Sequence, residues 1–164
     1  MQTRKGAVTT PQKGIQTMTR QEKCPNTSTF TYYNANPRNR ITTDCVIRAI
    51  STATEIPYNQ VVMELAKLQC KTGYDDGDPK LYDLYLKQNG FRKQKQPRKA
   101  DNTKFTGKEF CKALQSDYGY VIGKDIRIVA HIGGHHIVAI VDGKVHDIWD
   151  ATYKTIGNYW VKEN

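Results

Sequence analysis

Long apolar runs are missing from this 164-residue sequence, and no stretch approaches the roughly 20 apolar residues needed to cross a bilayer. The N-terminal stretch MQTRKGAVTTPQKG carries basic residues but not the apolar core of a secretory signal. A cytoplasmic protein without membrane attachment is therefore expected. Cysteine is sparse as well. The four present (Cys24, Cys45, Cys70 and Cys111) are widely spaced and form no CxxC pair. That argues against a disulfide scaffold and for reduced thiols. No cofactor or metal is expected. Acidic residues are few beside basic ones, 16 against 25, and the formal net charge is +9. Such a balance favours nucleic acid or acidic partners through long-range attraction. The bases gather in two stretches, Arg4 to Lys23 and Lys87 to Lys108, neither with the aromatic interleaving of a nucleic-acid module. They read as solvated segments, which leaves nucleic acid as a partner only through the charge of the basic tail.

Residues 1–28 are rich in Thr, Gln, Lys and Pro, and read as a flexible basic tail. The remainder, 29–164, is long enough for one core and reads as one domain, with a basic, proline-containing linker over about 92–104. Phe30 to Tyr33 suggests a short strand. Val46, Ala49, Ile50 and Ala53 recur at helical spacing behind a Thr43-Asp44 cap, with Pro57 as a break. Val61, Val62, Leu65 and Leu68 predict a second helix, running to about Cys70. Leu81, Leu84 and Tyr85 predict a third, stopped at Asn89-Gly90. Thr106 and Glu109 form a capping box for a short fourth helix, with Phe110, Ala113 and Leu114 inward. Strands are expected over 126–130, 136–141 and 145–149, the last two joined by the Asp142-Gly143 turn, and again near Tyr159 to Val161. Cys70 and Cys111 read as packing residues. Helices followed by an antiparallel meander make the fold class α+β.

Cys45 stands in the first turn of a predicted helix, where N–H groups and the helix dipole favour a thiolate. A nucleophilic thiol also needs an imidazole to take its proton and return it to a leaving amine. His136 opens an apolar strand where an unpartnered polar group is costly. If Asp142-Gly143 is a two-residue turn, Val141 pairs with Lys144 and Asp147 becomes a diagonal neighbour of His136. A bulge shifts that register by one residue and leaves Asp150 as the alternative orienting acid.

Cysteine opening the first helix, histidine on a late strand and a polar residue on the next strand is the chain order that resembles papain-like cysteine peptidases. The segment GHHIVAIVDGKVHDIWD resembles their histidine hairpin, and DCVIRAISTATEIPYNQVVMELAKL resembles small bacteriophage and bacterial members with a DCVxRA motif. The resemblance covers roughly residues 40–70 and 126–161. It implies a papain-like fold, N-terminal helices packed against a C-terminal antiparallel sheet. It also implies a thiol hydrolase cleaving an amide, peptide or isopeptide bond in a protein or peptide substrate through Cys45, His136 and Asp147. In papain the orienting residue lies two residues before a covering tryptophan, a spacing that Asp147 and Trp149 match. The family's oxyanion glutamine, shortly before the cysteine, is missing here. Asn39 has the chemistry to replace it, with Asn36 as a second choice. The alternative function is a catalytically silent papain-like binding protein, for example a phage protein that blocks a host factor.

Overall fold

The computed structural model describes residues 18–116 and 125–162. Its first helix, α1 (Arg20–Lys23), is a single turn closed by a Thr19/Glu22 capping box. Strand β1 (Phe30–Tyr32) follows. Helix α2 (Cys45–Thr54) exists because Ala49, Ile50 and Ala53 share one apolar stripe, and it stops at Glu55 in a left-handed conformation (φ 64°) shortly before Pro57. Helix α3 (Tyr58–Thr72) buries Val61 and Leu65 and ends on Gly73, at φ 72°. Helix α4 (Pro79–Gln88) begins with proline at its first position, and Asp78 accepts a hydrogen bond from the Lys80 N–H. Strand β2 (Phe91–Gln94) precedes α5 (Gly107–Gln115), whose Thr106/Glu109 capping box forms as expected. The rest is β3 (Arg127–Ile132), β4 (His136–Val141), β5 (Lys144–Asp147) and β6 (Ile156–Lys162).

These strands form one six-stranded sheet in the order β1-β5-β4-β3-β6-β2. The α+β class holds, but the sheet is mixed: β1 lies parallel to β5, while the other pairs are antiparallel. Nor does the sheet come only from the C-terminal half, since β1 and β2 form its two edges. Side chains alternate across it as the pleat requires. Val129, Ile137, Ala139 and Trp160 meet α2, α3 and α4 on one face. Ile128, Ala130, Ile132, Val138 and Ile140 meet Phe110 and Cys111 of α5 on the other. Among the described residues no helix is long and apolar enough to cross a membrane.

Three expectations need correction. The segment expected as a linker over about 92–104 begins inside strand β2, whose Arg92, Lys93 and Gln94 pair with β6, and Arg98 and Lys104 form an isolated β-bridge further on. Of the expected tail, residues 1–17 lie outside the described residues, but Cys24 packs against the α5-side core and the Ser28 carbonyl accepts from Gln115 Nε2 at 2.9 Å. Cys70 is exposed, because the buried stripe of α3 passes through Val61 and Leu65 and leaves position 70 on the solvent side.

Candidate active site

The Asp142-Gly143 turn sets the geometry. Both residues have positive φ (49° and 71°), the conformation that a two-residue type I′ hairpin demands. Pairing then runs without a bulge through Val141↔Lys144, Ile140↔Val145 and Ala139↔His146. There the ladder between β4 and β5 ends, so His136 at the start of β4 and Asp147 at the end of β5 lie just past it at the same end. Helix α2 packs against β4 and β5, and brings Cys45 to that end.

Asp147 is buried, and its Oδ2 lies 2.5 Å from His136 Nε2. Nε2 is thereby engaged, and the Cys45 thiol interacts with the same ring, each favouring the charged form of the other. Burial pushes the imidazolium down, but the bonds to Asp147 and Cys45 and the charges of both hold its pKa up at about 9. Burial likewise pushes the Cys45 thiol up. His136, with a hydrogen bond from the backbone of Ile137, outweighs it and leaves the thiol below its ordinary value. Cys111 is the contrast: wholly buried in the core, it is pushed up to about 12.

The remaining sequence expectations divide. The Trp149 ring sits 5.1 Å from the His136 ring, centroid to centroid. Asp150 is spoken for elsewhere, accepting from Thr152 N–H at 2.9 Å and Thr152 Oγ1 at 2.6 Å, so Asp147 and not Asp150 holds the imidazole. Asn39 is not brought to the thiol. It is exposed at a left-handed φ of 51°, and its Oδ1 accepts from Asn34 Nδ2 at 3.2 Å within the loop. Asn36 is also committed, donating to Asp44 Oδ2 at 3.0 Å and Tyr58 Oη at 3.3 Å. Asp44 precedes α2 without capping it with its side chain, because Arg48, Tyr58 and Asn36 engage its carboxylate.

Two residues at the site were given no role by sequence reasoning. Arg48, buried on α2, pairs with Asp44 and reaches Asp147 Oδ1 with Nη2 at 3.3 Å. The signal was present as an arginine one turn after Cys45, but its partner Asp147 is 99 residues away. Tyr82, on α4, lies in a cleft of about 430 Å³ with Cys45, Val46, Leu65, Leu81, His135 and Ile137. Burial and then the Cys45 charge push its phenol up to about 12. His131 Nδ1 faces the Gly134 carbonyl at 3.3 Å, which only accepts, so in the neutral ring Nε2 accepts a hydrogen bond from the Tyr82 hydroxyl at 3.0 Å. Tyr82 is thereby a wall of the cleft and not a donor into it. Compared with protein-family models, curated proteins and solved structures, the chain matches none.

Proposed function

We propose that this protein is a papain-like thiol hydrolase cleaving an amide, peptide or isopeptide bond in a protein or peptide substrate. One observation carries the reading: a half-buried thiol at a helix start interacts with an imidazole whose Nε2 lies 2.5 Å from a buried carboxylate. Helix-borne cysteine, strand-borne histidine and acid on the next strand, in that chain order, support the papain-like assignment.

In the first half-reaction the Cys45 thiolate attacks the carbonyl carbon, forming a C–S bond and an oxyanion. The Cys45 backbone N–H, at the dipole-positive end of α2, stabilises that charge. The His136 imidazolium gives its proton to the leaving nitrogen, the C–N bond breaks, and a thioester remains. His136, now neutral, takes a proton from water as the hydroxide attacks. The C–S bond then breaks, releasing the acid and restoring thiolate and imidazolium. Asp147 fixes the ring and stabilises its charged form, and Trp149 screens that contact from water.

Iodoacetamide labelling of the folded protein at pH 6.5, read by mass spectrometry, tests the activated thiol. Cys45 is expected to label at least tenfold faster than Cys111. Equal, slow labelling of both sinks the proposal. Amide hydrolysis, screened on a peptide library, is expected in the wild type and lost in Cys45→Ala.

A further inference from the structure

Arginine is seldom fully buried unless it is paired. Arg48 is 5% exposed, the one charged residue among those that α2 buries. Its Nη1 pairs with Asp44 Oδ1 and lies 3.4 Å from the Thr42 carbonyl oxygen, and its Nη2 lies 3.3 Å from Asp147 Oδ1. Its Nε is buried without a hydrogen-bond partner. A side chain placed only for its own satisfaction does not leave a buried N–H orphaned. The span is what the geometry preserves. One arm holds the residue immediately before Cys45. The other holds the oxygen of Asp147 that His136 does not use. Asp44 is fixed in turn by the Tyr58 hydroxyl at 2.7 Å.

We propose that Arg48 is a positioning residue, locking the start of the nucleophile's helix to the acid that orients His136 and so setting the thiol-to-imidazole geometry. The inference rests on the thiol-hydrolase reading of the site. Without the lock, Asp147 turns away from Nε2 and α2 shifts against β4, and the pair loses alignment without losing any of its own members. Lysine keeps the charge, but a single ammonium does not reproduce the two-armed fork. Arg48→Lys therefore separates geometry from charge. The other titratable groups around the pair are Asp44 beside α2, Tyr58 on α3, Asp76 and His135 at the cleft rim, Tyr82 on α4 and Asp147 on β5; the substitution replaces none of them and acts only through where Asp44 and Asp147 are held.

The test is the pH profile of Cys45 alkylation by iodoacetamide between pH 5 and 9, with Cys111 as an internal reporter of folding. Arg48→Lys is expected to slow Cys45 at pH 6 about tenfold and move the acid limb upward, with Cys111 still protected. Asp44→Asn, which slackens the other arm, is expected to move the limb the same way by about threefold, and it decides the matter if Arg48→Lys does not fold. Profiles superimposable on wild type in the folded variants overturn the role of Arg48. A wild-type Cys45 that is itself no faster than Cys111 instead overturns the hydrolase reading beneath it.

Discussion

At the scale of single residues, His136 does two things with opposite pH limits. Its bond to Asp147 keeps the ring protonated, at a pKa of about 9, and the protonated ring keeps Cys45 as thiolate. Alkylation needs only the thiolate, whereas amide cleavage also needs the ring proton for the leaving nitrogen. Both rates fall when acid protonates Cys45, but only turnover falls as pH rises through about 9, where the imidazolium is lost. We therefore expect a bell-shaped rate for hydrolysis and a rate for Cys45 alkylation that does not turn down at alkaline pH. An alkylation rate tracking that of a simple cysteine peptide at every pH contradicts the pair. Asp147→Asn removes the charge that raises the ring. His136 then titrates lower and releases Cys45 to a higher pKa. Alkylation at pH 6.5 slows about tenfold for each pH unit by which the thiol's midpoint climbs.

Among the elements, the β4–β5 hairpin carries the site, and its turn is the place to test it. Gly143 has φ 71°, and a Cβ there would come 2.6 Å from Gln115 Cγ and 3.2 Å from the Cys111 carbonyl oxygen. Gln115 Nε2 also donates to the Gly143 carbonyl at 2.8 Å, fastening the turn to α5. Gly143→Ala is expected to lower stability by about 1–2 kcal/mol in urea unfolding, through backbone strain and this crowding. Wild-type stability in that variant would refute the positive-φ turn. The same turn explains why the hairpin was legible in sequence: Asp-Gly between two apolar runs fixes the register, and the register brings Asp147 beside His136. Strand β2 was not legible, because Phe91-Arg92-Lys93-Gln94 carries one buried apolar residue among bases, as an edge strand tolerates. Arg48 was hidden for another reason. Its meaning depends on Asp44 and Asp147 meeting it from different elements, and helical spacing alone makes position 48 a solvated charge. Asn39 misled because spacing before the cysteine says nothing about where a loop side chain points.

For the molecule as a whole, one sheet is the shared wall of two cores, with α2, α3 and α4 on one face and α5 on the other. Adjacent residues of the same strand serve opposite cores: Ile128 faces α5, and Val129 faces the three helices. Neither core has a wall of its own, so loss of one removes the support of the other, and unfolding should be a single cooperative step. Ile128→Val deletes one methylene from the α5-side core, at a cost of about 1 kcal/mol. Two probes report on opposite faces. Far-UV circular dichroism is dominated by α2, α3 and α4, while thiol exposure of Cys111 follows the α5 side. In urea both probes are expected to share one midpoint in the wild type, and to move together to a lower one in Ile128→Val with an unchanged slope. The native-state pH profile of Cys45 alkylation should stay where it was, since Ile128 touches none of the groups that set it. Two separated midpoints, with Cys111 exposed while the helices persist, would mean that the faces unfold independently and that the site's two sides are not held by one cooperative frame.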